Sequence, residues 1–211
     1  MLRLLTAGES HGPGLTVILD GLPAGLPFDR ARIDDDLRRR QGGYGRGGRM
    51  KIERDHVEPL SGVRHGYTLG SPLTLRIENR DWANWQEAMS SDPIAEPTEA
   101  VTRVRPGHAD LTGALKYGHA DVRDVIERAS SRETAARVAA GAVCRLLLEA
   151  FGVAIHSHVL SIAEVAYSPG AAPDVGHADK FFWARVEASP MRCGDDELTQ
   201  RMIARIQEGK R

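Results

Sequence analysis

The sequence predicts an α+β fold, and three observations predict it. Two short β runs, Leu2 to Ala7 and Leu15 to Gly21, flank a glycine-rich loop; a long amphipathic helix occupies about 132–150; and a half-buried strand pattern falls between them at Leu73 to Asn79. No internal repeat and no separating linker interrupts the 211 residues, so residues 1–211 read as one domain.

The elements follow in chain order. After the first β pair, Asp29 is the N-cap of a helix that puts Ile33 and Leu37 on one face and Arg38, Arg39 and Arg40 in its last turn, where cations suit the helix dipole. Glycines at 42, 43, 45, 47 and 48 then forbid regular structure and let backbone come close to a ligand. Met50 to Leu60 is strand-like, and LTLRIEN, Leu73 to Asn79, alternates as a strand with one buried face. Asp81 to Ala100 is a polar, loop-rich connection carrying Trp82 and Trp85.

In the main helix, Ala135, Val138, Ala139, Ala142, Val143, Leu146, Leu147 and Ala150 form one buried stripe. Small residues dominate its first half, which predicts close packing there. Ser130 and Glu133 have the spacing of a capping box, and Gly152 is a natural stop. VAIHSHVLSIAEV, Val153 to Val165, reads as a strand and Asp174 to Cys193 as irregular. A last amphipathic segment runs from Asp195 through Leu198, Met202, Ile203 and Ile206.

Composition narrows the function. Hydrophobic residues are 41% and charged residues 27%, which argues against bulk disorder. A net charge of -1 and a pI near 6.7 argue against a nucleic-acid binder, which carries basic excess over a whole domain. No apolar run approaches the roughly 18 residues of a membrane span, and a cytoplasmic protein is expected. Cys144 and Cys193 have neither metal nor redox spacing, so Cys144 reads as core filler, Cys193 as incidental, and no metal is expected.

Chemistry concentrates in four stretches. GESHG places His11 between small residues on a loop that follows a strand. RPGHAD places His108 after a Pro-Gly turn, with Asp110 close enough to orient an imidazole, which gives or takes a proton near neutral pH. ERASSRET sets Arg128, Ser130, Ser131 and Arg132 at the start of the main helix, where unpaired N–H groups and guanidiniums favour an anion. RRRQGGYGRGGRM, Arg38 to Met50, is arginine-rich and free of acid. Arginine-glycine segments that bind RNA are long and of low complexity, whereas this one is brief and embedded between a helix and a strand-like run, so a structured phosphate-gripping loop is the better reading. These residues by themselves describe an enzyme acting on a phosphorylated, anionic substrate, with histidines managing protons.

TAGESHGPGLT, RRRQGGYGRGGRMKIE, SGVRHGYTLGSPL, RPGHADLTGALKYG and ERASSRETAARVAAGAV, in this order, resemble the chorismate synthase family, specifically its N-terminal part. The resemblance implies a β-α-β sandwich fold. It implies anti-1,4-elimination of phosphate from 5-enolpyruvylshikimate 3-phosphate to give chorismate, a shikimate-pathway step towards aromatic amino acids. Reduced FMN is the implied cofactor and NADPH an implied reductant of the flavin. By resemblance His11 assists the departing phosphate and His108 protonates the reduced flavin. Arg40 and Arg46 contact NADP or the substrate phosphate, with Arg39 and Arg49 as neighbours in the same anion pocket. Arg128, Ala129 and Ser130 match a flavin-contact tripeptide that more often reads Arg-Ser-Ser, so Ala129 departs by lacking a hydroxyl. Partners implied are the small-molecule substrate and a homotetramer, with no nucleic acid and no membrane. The family continues well past this length, so the expectation is a domain incomplete at its C-terminus. The second reading is a truncated chain that binds FMN or a phosphorylated ligand without doing chemistry.

Overall fold

The structure is a computed structural model that describes residues 1–48, 52–96, 98–168, 170–176 and 178–210. Its first layer is a four-stranded antiparallel sheet. Strand β1 (Arg3–Ala7) pairs with β2 (Gly14–Asp20). A second, three-stranded sheet contains β3 (Ala24–Pro27). Helix α1 (Arg30–Gln41) follows, begun by Asp29, whose carboxylate accepts the Arg32 N–H, and it buries Ile33 and Leu37 as its periodicity predicts. Strands β4 (Glu58–Ser61), β5 (Val63–Arg64), β6 (Tyr67–Leu69) and β7 (Leu73–Glu78) complete the two sheets, in the orders β1-β2-β7-β4 and β3-β6-β5.

Period-two alternation decides which face of the larger sheet is buried. Leu15, Val17 and Leu19 of β2 stand directly opposite Ile77, Leu75 and Leu73 of β7, and all six are buried. Against them lies α4, the fourth helix in chain order. It is preceded by α2 (Asp110–Tyr117), α3 (Arg123–Ala129) and a short 3-10 turn (Ser131–Glu133), and itself spans Thr134–Glu149. Ala135, Ala136, Ala139, Ala140, Ala142 and Val143 of α4 are buried in the same core as Ile33, Leu37 and the six strand residues. The tight packing read from the small residues is therefore helix on sheet.

Five expectations need correction. Of the strand-like run Met50 to Leu60, residues 52–57 form no strand and pairing begins at Glu58. Cys193, read as incidental, is the fully buried thiol, while Cys144, read as core filler, is only half-buried. Residues 153–160 form no strand; only Ser161–Ile162 (β8) and Val165–Ala166 (β9) pair, as a small hairpin. The run is rich in β-branched residues, but no strand of either larger sheet pairs with it. Asp174 to Cys193 is not wholly irregular, since Lys180–Ala188 is a helix, α5, whose N-cap Asp179 accepts the Phe182 N–H at 2.8 Å. The capping box is only half formed: Ser130 Oγ accepts the Arg132 N–H, while the Glu133 carboxylate turns outward to Thr6 Oγ1 at 2.7 Å and Arg137 Nε at 2.8 Å. Helix α6 (Asp196–Glu208), capped by Asp195, closes the described chain as its pattern predicts. With Met191 and Cys193, its Leu198 and Met202 form a second, smaller core.

Two sets of buried or half-buried charges join these parts. In the first, Arg132 is 2% exposed and its guanidinium donates to Asp55 Oδ1 at 2.6 Å, Asn79 Oδ1 at 2.8 Å and the Glu78 carbonyl at 3.1 Å, with Glu53 Oε2 at 3.7 Å. In the second, Glu187 of α5 accepts two bonds from Arg39 of α1 and two from Arg192, while Asp36 of α1 accepts from both Arg39 and Arg145 of α4. The Arg192 guanidinium, then that of Arg39, hold the Glu187 carboxyl down at about 2 against the opposing effect of burial.

Replacing Arg132 by Met should cost about 3–5 kcal/mol in urea unfolding, because Asp55 would keep a buried charge with its short-range guanidinium partner removed, and the Asn79 and Glu78 acceptors would lose their donor. Glu187→Gln should cost less, under about 1 kcal/mol, because the carboxylate is half exposed. As the folded state holds Glu187 low, its contribution is complete above the ordinary value of 4.5 and is lost as pH falls through about 2. The difference in urea midpoint between wild type and Glu187→Gln should close over that window, and an unchanged difference at pH 2 would exclude the ion pair as its source.

Candidate active site

The loop between β1 and β2 begins at Gly8, whose φ of +103° and whose position, with an added Cβ only 2.3 Å from the Gly14 carbonyl oxygen, leave room for glycine alone. The loop is then tied from two sides. Ser10 N–H donates to the Glu127 carbonyl at 2.9 Å, and Asn79 Nδ2 donates to the carbonyls of Glu9 at 3.0 Å and Gly12 at 2.8 Å. Asn79 thereby holds the loop with its nitrogen and Arg132 with its oxygen.

His11 sits at the apex. Glu127 of α3, 2% exposed, receives the His11 backbone N–H at 2.7 Å and contacts ring Nδ1 at 2.8 Å. The ring stacks on Trp85 with centroids 4.1 Å apart, and its Nε2 lies 3.7 Å from Asp81 Oδ2. A buried carboxylate on Nδ1 makes that atom the N–H donor and leaves Nε2 for exchange with a ligand.

His108 repeats the device. Its Nδ1 is 2.5 Å from Asp110 Oδ1, and the fully buried Asp110 also accepts from Arg105 Nε at 2.8 Å and from the Arg105 backbone N–H at 3.0 Å. The Arg105 guanidinium, with the Arg105 backbone N–H and His108 beside it, holds the Asp110 carboxyl well below the usual carboxylate range although burial opposes this. Asp110 therefore stays anionic at any pH where the protein works. The orienting role read for Asp110 in RPGHAD matches this contact. Glu127 was not singled out from sequence: its partner lies 116 residues away, and nothing local distinguishes a buried orienting glutamate from a solvated one.

The arginines of the loop sort into different environments. Arg40 points to the start of α4, donating to Thr134 Oγ1 at 3.3 Å and the Ser131 carbonyl at 3.4 Å, with Asp55 Oδ2 at 3.5 Å. Arg46 folds back so that its Nε donates to the Gly42 carbonyl at 2.8 Å. Arg40 and Arg46 line a 230 Å³ recess together with Gly47, Ser130, Ser131, Arg132 and Thr134. Arg39 faces Glu187 and Asp36 instead, so its guanidinium is occupied by two carboxylates of the chain. Arg49 lies outside the described residues.

Residues 128–130 contribute to two recesses. Ser130 faces the one just described, while Arg128 and Ala129 line a 420 Å³ cleft between α2 and α3 with Thr112, Lys116 and Tyr117. Arg128 Nη2 donates to Thr6 Oγ1 at 2.8 Å and to the Thr6 carbonyl at 2.9 Å. Its Nη1 is buried with no hydrogen-bond partner among the described residues.

No helix among the described residues is long and apolar enough to cross a membrane. The family model for chorismate synthase matches residues 2–211. A chorismate synthase of Symbiobacterium thermophilum is 56% identical over 216 residues, covering 100% of this chain and 54% of that protein. One from Moorella thermoacetica is 54% identical over 210 residues, covering 100% of this chain and 53% of its own length. A solved structure bearing the words "Crystal Structure of Chorismate Synthase" aligns with a TM-score of 0.76 at 40% identity, over 99% of this chain and 54% of that one. The chain spans about half the length of the relatives it matches. Matched from residue 2 to its last residue, and more than half identical to relatives along the whole of that length, the chain belongs to the chorismate synthase family.

Proposed function

We propose that the chain carries the site for anti-1,4-elimination of phosphate from 5-enolpyruvylshikimate 3-phosphate, giving chorismate. In that reaction the bond from the ring carbon to the phosphate oxygen breaks, a C6 hydrogen departs, and a second ring double bond forms. The observation that carries the reading is the pair of imidazoles, each pinned at Nδ1 by a buried carboxylate, in a chain that also gathers Arg40 and Arg46 round one small recess.

In this reading His11 gives a proton from Nε2 to the departing phosphate, and Trp85 keeps the ring plane fixed while it does so. Arg40 and Arg46 bind the substrate's anionic groups as guanidinium forks, and Arg49 joins them. Arg39 holds α5 through Glu187 and keeps the neighbouring residue, Arg40, in place.

The residues at 128–130 fit the reduced FMN that the family resemblance implies. The unpaired Nη1 of Arg128, beside a cleft with Lys116 and a mostly apolar wall, suits an anionic or carbonyl oxygen of a flat cofactor, and Ala129 needs no hydroxyl for its backbone to take part. When bound, the flavin supplies electron density to the ring carbon that loses phosphate. His108 holds a proton at Nε2 for the flavin, steadied by Asp110. NADPH as the flavin's reductant, assembly as a homotetramer and a cytoplasmic setting belong to the same proposal.

The test is anaerobic incubation of the purified chain with chemically reduced FMN and substrate, following chorismate by absorbance and phosphate release in parallel. Turnover that falls about 10²- to 10⁴-fold in His11→Ala is the expected result. Arg46→Ala should weaken substrate binding about ten- to a hundredfold, the loss of a charge-assisted hydrogen bond. Saturable flavin and substrate binding without turnover would favour the binding-only reading, and a folded chain that binds neither would overturn both.

A further inference from the structure

The arginine-glycine loop contains one aromatic residue, Tyr44, and it does not face the recess. It is half-buried against the second core, packed with Met191, Cys193, Leu198 and Met202. Three contacts fasten it: its backbone N–H donates to the Pro190 carbonyl at 2.9 Å, its hydroxyl accepts from Gln207 Nε2 of α6 at 2.9 Å, and Lys210 Nζ lies over the ring, 5.6 Å from its centroid. Gly43 at φ +102° and Gly45 at φ +80° turn the chain into this anchor and out of it. Arg46 is the next residue, and its Nε returns to Gly42 on the near side of the same turn.

We propose that Tyr44 is a positioning residue. By fastening the middle of the loop to α6 and to the 189–192 turn, it sets where the Arg46 guanidinium points. A segment so rich in glycine loses more backbone entropy in holding one conformation than other residues would. Among the described residues the loop's own side-chain bond is that of Arg46 to the Gly42 carbonyl, and the anchor supplies the contacts to the rest of the fold. The second core, which holds none of the proton-handling residues, thereby acts on the anion site through one side chain. The inference rests on Arg46 as a contact to an anion, and the test separates the two.

Four variants of the full chain decide it: Tyr44→Ala, Tyr44→Phe, Arg46→Lys, and Val17→Ala as a control that weakens the main core far from the loop. Two readouts are used, the NMR signal of the Arg46 Nε–H, assigned by its absence in Arg46→Lys, and titration with inorganic phosphate. In Tyr44→Ala the Arg46 Nε–H signal should broaden and collapse, and phosphate affinity should fall about tenfold as the competent loop conformation becomes a minor one. Tyr44→Phe keeps the ring and the backbone contact and should restore both readouts to within about twofold, while Val17→Ala should leave both unchanged. If Tyr44→Ala does not fold, Gly45→Ala strains the same anchor at a positive φ and carries the same expectation. An unchanged Arg46 signal in Tyr44→Ala, or an equal change in Val17→Ala, overturns the proposal. Absence of phosphate binding in the wild type counts against the functional reading of Arg46, and the Nε–H signal then decides the positioning role alone.

Discussion

A cation with almost no access to water stands at the centre of this fold. Arg132 is anchored by Asp55 and Asn79, and those partners reach onward: Asp55 to Arg40 and, through its backbone N–H, to Gln41 of α1; Asn79 to the carbonyls of Glu9 and Gly12 on either side of His11. Desolvating a guanidinium is expensive, and its neighbours offset that cost only when every donor meets an acceptor at short distance. The requirement fixes the end of β7, the end of α1, the 53–55 segment and the start of α4 relative to one another. The histidine loop and the arginine recess, far apart in sequence, are placed by the same side chain.

Around that centre the two histidines obey one physical rule. An imidazole that must exchange a proton at one nitrogen needs the other nitrogen held, and a buried carboxylate holds it best where water cannot compete. Glu127 and Asp110 are both nearly inaccessible and both are themselves tied to backbone, Glu127 through the His11 N–H and Asp110 through the Arg105 N–H. Arg39, by contrast, is matched by acids of its own chain. A local run of arginines is therefore not one electrostatic patch: consecutive side chains on the last turn of α1 diverge by about 100° each, so Arg39 turns to α5 and Arg40 to α4.

Much of this was legible in the sequence where local rules decide. Asp29 and Asp195 announce helix starts, the Ile33 and Leu37 pair and the alanine stripe announce buried faces, and alternation announces β2 and β7. The family motifs named His11 and His108, and the structure supplies each with a partner. Illegible features depend on distant partners. Val153 to Val165 is β-branched enough to read as a strand, but within it only Ser161, Ile162 and Val165 are paired, in a small hairpin. Helix α5 hides because Phe181, Phe182 and Trp183 crowd three aromatics together and blur its period, although Asp179 marks its start. Glu133 has the spacing of a capping residue and is drawn away by Thr6, a strand residue 127 positions earlier.

The alanines of α4 carry one last implication. Alanine has no side-chain rotamers to lose, so where Ala135, Ala136, Ala139, Ala140 and Ala142 meet the sheet, the spacing between helix and strands is set by backbone alone. The first turn of that helix forms one wall of the arginine recess. Thr134, the residue of that helix that lines the recess, is thus carried by an element whose distance from the sheet does not depend on side-chain packing. The recess is bounded on one side by an element registered to the sheet and on the other by a glycine-rich loop whose place is set from the second core.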